Sequence, residues 1–89
     1  MRIFILDGKD MKNREKAYRV IERTLGFPEW FGHNLDALAD CLGELDTETA
    51  IVFVNTQTLC ENLGSYADKL LACFREVSEA FNIIYLEKA

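Results

Sequence analysis

The sequence predicts a small α/β domain, a three-stranded parallel sheet with about four helices packed on it. Three observations point there. Apolar runs of strand length stand near the start, middle and end of the chain: RIFILD (Arg2 to Asp7), AIVFV (Ala50 to Val54) and NIIYLE (Asn82 to Glu87). The stretches between them carry apolar residues at helical rather than alternating spacing. The intervals are long enough for helical crossovers, which join parallel strands through right-handed connections. With 89 residues and no repeat or linker, one domain spanning residues 1–89 with one core accounts for the chain.

Taken in order, the first strand stops at Asp7-Gly8. A helix follows in which Ala17, Val20, Ile21, Thr24 and Leu25 fall at i, i+3, i+4, i+7 and i+8. Asn13 is its expected N-cap, with Asp10 competing, and Gly26 and Pro28 end it. The second helix is expected from Leu35 to Leu42, with Asn34 as cap and Gly43 as stop. The middle strand is continuously apolar and β-branched, as in a parallel strand covered on its faces. A short helix is placed between Thr56 and Leu63. Ser65 and Asp68 suggest a capping-box start for the last helix, whose buried stripe reads Ala67, Leu70, Leu71, Phe74, Val77 and Phe81.

Composition excludes several classes. Apolar residues make up 49% and charged residues 28%, ordinary for a globular domain. The first apolar run, Ile3 to Leu6, ends at Asp7, so neither a signal peptide nor a membrane span is expected, and a cytoplasmic protein is. Cys41, Cys60 and Cys73 lack CxxC spacing and read as reduced thiols acting as small hydrophobes. No glycine-rich phosphate loop is present, and no cofactor or catalytic residue is indicated.

Charge is distributed unevenly. Residues 1–23 carry seven basic side chains against four acidic ones, residues 24–68 carry eight acids and no Lys or Arg, and the remainder balances, giving a net −5. An acidic middle argues against nucleic acid or anionic lipid as ligand there and favours a cationic partner or a cation. A merely solvated acidic face is the bland alternative.

Within that middle, WFGHNLDALADCL places Asp36 and Asp40 one turn apart, a pairing that repels by about 0.2–0.5 kcal/mol on a helix. At about 100° per residue the two lie some 40° apart, while Leu35, Leu38 and Leu42 cluster on the far side. Asp36 sits in the first turn, where the helix dipole favours an anion. Asp40 sits in the last turn, where the dipole opposes it, with Ala37, Gly43, Asp36 and Glu44 as helical neighbours. It therefore needs a positive charge from elsewhere in the fold or from another molecule. Trp30 and Phe31 flank Gly32 at the loop-to-helix junction, a composition common in interface anchors, with Trp30 expected exposed and Phe31 buried. His33, the single histidine, has no nucleophile or second ligand type beside it and reads as a surface residue.

Two readings of the residues remain open beside this one. A metal-dependent enzyme could use Asp7, Asp36 and Asp40 as hard oxygen ligands, provided they converge. An acidic interaction domain for some other cationic protein needs only the exposed charges.

The segment Phe27 to Gly43, FPEWFGHNLDALADCLG, resembles the central loop and helix of the barstar family of bacterial barnase inhibitors. The shared pattern is Pro-Glu, two aromatics, Gly, one variable residue, then Asn-Leu-Asp-Ala-Leu, one residue and Asp-Cys-Leu. FREV, Phe74 to Val77, is similar to the family's last helix. The resemblance implies a non-enzymatic inhibitor, monomeric when free, that inserts its second helix and preceding loop into the cationic active site of a basic ribonuclease, carboxylates standing in for phosphates. It places Asp40 at the phosphate site with Asp36 beside it, Trp30 against the catalytic histidine, Asn34 as a hydrogen-bonding contact and Glu76 as an acidic contact from the last helix. Phe31, Gly32, Ala39, Gly43 and Glu44 complete the expected contact surface. Ala39, Gly43 and Leu45 stand where barstar has tryptophan, threonine and tryptophan, and Trp30-Phe31 replaces a tyrosine pair. These departures imply a partner other than barnase itself, a different ribonuclease or another cationic protein.

Overall fold

In a computed structural model of residues 1–89 the three apolar runs form parallel strands β1 (Arg2–Asp7), β2 (Thr49–Val54) and β3 (Ile84–Glu87), in the order β1-β2-β3. Four helices complete the fold: α1 (Arg14–Leu25), α2 (Leu35–Gly43), α3 (Thr56–Leu63) and α4 (Ser65–Ala80), with a 3-10 turn at Gly8–Asp10. The register aligns Phe4 with Ile51 and Tyr85, and Leu6 with Phe53 and Glu87. That face meets the helices. Leu6, Ile51 and Phe53 are fully buried there among Tyr18, Ile21, Leu38, Leu42, Leu70 and Phe74.

The opposite face carries no helix: the middle strand's outward residues are buried at Ala50 and half-buried at Val52 and Val54, but the flanking strands are bare. Ile3, Ile5, Ile84 and Leu86 are 46–64% exposed. Strand order supplies the reason: right-handed crossovers that advance in one direction across a sheet lay every helix on the same face. Ala50 on the outer face is nonetheless buried, since it lies between Ile3 and Ile84 at the same register.

Helix α1 begins where its cap predicts, the Asn13 side chain accepting from the Lys16 amide at 2.9 Å. It ends at Gly26, left-handed at φ 71°, with the Phe27 amide donating to the Glu22 carbonyl at 2.9 Å. Ala17, Tyr18, Ile21 and Leu25 are buried, so the helix sinks a tyrosine that the apolar stripe left out. Helix α4 departs from expectation at both ends. Ser65 is already inside the helix and makes no capping bond, because a single residue, Gly64 at φ 61°, separates α3 from α4 and leaves no room for a box. Phe81, expected in the buried stripe, lies beyond the helix and is 51% exposed. There the chain turns through Asn82 at φ 57°, the Ile83 amide donating to the Ser78 carbonyl at 2.8 Å. This is a Schellman motif with asparagine in the position glycine usually takes, and it starts β3 at Ile84 rather than Asn82.

Candidate partner-binding face

The loop Phe27–Asn34 is held from beneath by aromatic packing. Phe31 is 5% exposed, with its ring 5.1 Å from Phe27 and 6.0 Å from Tyr18, so it anchors the loop and offers a partner almost nothing. Trp30 is 77% exposed, as the sequence reading has it. Gly32 has a steric reason to lack a side chain: a Cβ there would sit 3.1 Å from the amide nitrogen of the Asn34 side chain. That side chain is the N-cap of α2, its oxygen accepting from the Ala37 amide at 2.8 Å. Loop and helix are thus joined through Asn34.

Helix α2 buries Leu38, Cys41 and Leu42 and packs against α4, turning Asp36, Asp40 and Glu44 outward. None of these carboxylates, nor exposed Glu76 on α4, has a cationic nitrogen within 4.0 Å. The contrast with other acids is direct, since Glu15, Glu22, Glu48 and Glu87 all have one. The helix forms a ridge between two depressions. One, about 280 Å³, brings Trp30 together with Asp40 and Glu44; the other, about 350 Å³, brings Asp36 and Ala39 of α2 together with Glu76 of α4. Lys69 also lines the second and was not singled out from sequence, although it shares Glu76's face at i, i+7.

The cysteines of this region are free. Burial, and then the nearby charges of Glu76 and Asp36, push the Cys73 thiol up to about 11; burial with Glu44 and Asp40 likewise raises Cys41. Both therefore stay protonated, and Cys73 donates weakly to the Leu35 carbonyl at 3.8 Å. Gly43 stands where the stop of α2 is expected. It is the last residue of α2 and is not left-handed, so it is no αL stop. It is small because a Cβ would lie 3.2 Å from the Phe81 ring, which covers the end of the helix.

The metal-centre reading is corrected by the same geometry. Asp7 accepts from the Asn55 side chain at 2.8 Å and the Lys9 amide at 2.9 Å, and the Asn55 contact first, then Lys9, holds its carboxyl below the ordinary range. No group of three or more His, Cys, Asp or Glu side chains lies close enough to hold a metal ion, so Asp7 does not converge with Asp36 and Asp40. No helix is long and apolar enough to cross a membrane.

The fold and this face define a class: a one-sided parallel α/β domain presenting an aromatic loop and an acidic helix whose carboxylates have no cationic nitrogen within 4.0 Å. The family model for Barstar (barnase inhibitor) matches residues 1–85, and the chain belongs to the barstar family. It is 41% identical over 80 residues to a Bacillus subtilis (strain 168) protein named "Putative ribonuclease inhibitor YrdF", covering 89% of this chain and 88% of that one.

Proposed function

We propose that this protein inhibits a ribonuclease of the barnase type by occupying its cationic active site. One observation carries the reading: Asp36, Asp40, Glu44 and Glu76 are exposed together around α2 with no positive charge of their own fold within 4.0 Å. Asp40 stands in the last turn, where the helix dipole adds to its repulsion from Asp36, and a cation on a partner relieves both. An enzyme site built to hold RNA phosphate supplies such cations, and the carboxylates then act as phosphate mimics. Trp30 provides the exposed aromatic surface that anchors of this kind use. Family membership and the name of the Bacillus subtilis relative support the same role. They also favour an inhibitor without catalytic activity.

Ala39 shapes the choice of partner. It is small and lies in the depression with Asp36 and Glu76, so the partner must fill space that a tryptophan would occupy. The test is RNA hydrolysis by barnase-type ribonucleases with this protein added at micromolar concentration and low salt. Inhibition that weakens as salt rises is expected, because rim charges steer association. Absence of inhibition across a panel of such enzymes overturns the proposal and leaves the acidic interaction domain as the better reading.

A further inference from the structure

His33 lies inside the loop that carries Trp30 and the Asn34 cap, yet its side chain turns away to α1. Its two ring nitrogens meet two different carboxylates: Nδ1 is 3.1 Å from Oε1 of Glu15, and Nε2 is 3.2 Å from Oε1 of Glu22. The imidazole stacks on the Tyr18 ring at 5.7 Å with planes 10° apart and also touches Phe31, centroids 5.6 Å apart. Glu15, Tyr18 and Glu22 are spaced i, i+3 and i+7, so one face of α1 supplies the floor and both arms of this seat.

Hydrogen-bond inventory decides what the seat holds. An ionised carboxylate only accepts, and a neutral imidazole has a single N–H, so only the imidazolium satisfies both contacts. A neutral ring would aim a lone pair at one carboxylate oxygen at about the same distance, which is repulsive and opens one arm. Other charges face the ring. The Nε of Arg19 lies 3.3 Å from the same Glu15 oxygen, and Arg23 and Glu29 line the depression of about 550 Å³ that opens beside His33. The arginines oppose a further cation, while Glu29 favours it. Burial pulls His33 down, but the hydrogen bonds it donates to Glu22 and Glu15 and the charges of those carboxylates outweigh it and leave His33 above its ordinary value.

We infer that protonated His33 is a positioning residue, a latch that fixes the loop Trp30–Asn34 against α1 and makes partner affinity rise as pH falls. When the latch is closed, the loop and the cap of α2 are ordered before the partner arrives. When it opens, binding must order them, and affinity drops. The affinity half of this inference rests on the reading that this loop contacts a ribonuclease. The latch itself does not.

The test has two arms on the full chain. In the first, NMR follows the His33 ring and the amides of Phe31, Gly32 and Asn34 from about pH 5 to about pH 9. The ring is expected to titrate above 6.5, with the three amides moving at the same midpoint. In the E15Q/E22Q variant the midpoint falls and the amide response shrinks. Loop amides that ignore the ring's titration overturn the latch. In the second arm, the dissociation constant for a catalytically inactive barnase-type ribonuclease is measured at both ends of the range for the native protein and for E15Q/E22Q. The ratio of the two profiles removes the enzyme's own titrations. A native preference for low pH about three- to tenfold greater than the variant's is expected, the range for ordering one or two side chains. Identical profiles overturn the affinity claim. If no ribonuclease binds either protein, the proposed function fails while the first arm still decides the latch.

Discussion

At the scale of single residues, Asp40 and Glu44 look alike in exposure and differ in setting. Both line the depression with Trp30, but Asp40 stands within α2 one turn from Asp36, whereas Glu44 caps the end of the helix. Asp40→Ala is expected to weaken ribonuclease binding by about 2 kcal/mol or more, as for a desolvated charge, while Glu44→Ala acts mainly on association rate and salt dependence. Titration calorimetry and stopped-flow measurements check this. The free Asp40→Ala protein should be as stable as the parent or more so, because a like-charge pair is gone. Unfolding of that variant would instead make the residue structural. Ser78 offers a test unconnected with function. Its hydroxyl is buried with no hydrogen-bond partner, so Ser78→Ala should raise stability by up to about 1 kcal/mol in urea denaturation.

Between elements, the tightest constraint is where β1 gives way to its 3-10 turn. A Cβ on Gly8 would fall 2.3 Å from the Asn55 carbonyl oxygen and 3.0 Å from Cβ of Leu59. Asn55, left-handed at φ 55°, joins β2 to α3 and also binds Asp7, so this corner ties the ends of two strands together. Gly8→Ala should cost about 2–3 kcal/mol, as overpacking against backbone does, and the fall in melting temperature measures it. Such cross-element contacts mark the limit of what the chain spells out locally. The Asp36-Asp40 spacing and the Asn13 and Asn34 caps are legible because cap and helix are neighbours in sequence. Glycines 8 and 43 read as turn punctuation, yet each is small because of a residue 38 or more positions away. The seat of His33 stayed hidden for the same reason, since its partners are 11 and 18 residues distant, on α1.

For the whole molecule, three shifted groups set a pH window of stability. His33 is raised, so its contribution is complete below 6.5 and is lost as pH climbs through its higher folded value. Asp7 is lowered by Asn55 and Lys9. Burial alone would raise Glu87, but the bidentate Arg75 contact at 2.7 and 2.8 Å and the Tyr85 hydroxyl lower it. Their contributions are complete above 3.8 and 4.5 and are lost as pH falls through the lower folded values. Urea midpoints should therefore form a plateau between 4.5 and 6.5 and decline on either side; Glu87→Gln should remove part of the acid limb and leave the alkaline one. The fold class could be read from three apolar runs, but the order of the strands could not. Nothing in a continuous run such as AIVFV says whether one or both of its faces will be covered.

That bare face separates two jobs. The helical layer carries the acidic ridge and the aromatic loop, while Ile3, Ile5, Ile84 and Leu86 lie on the far side of the sheet, outside both the core and the proposed partner-binding surface. It is the natural place to engineer. Threonine or arginine at these four positions keeps strand propensity or adds charge, and is expected to improve solubility at high concentration without altering the proposed partner-binding surface. A dye or solid support attached there would leave the acidic helix uncovered and, on the proposed mode of binding, make the protein a reagent for capturing its enzyme.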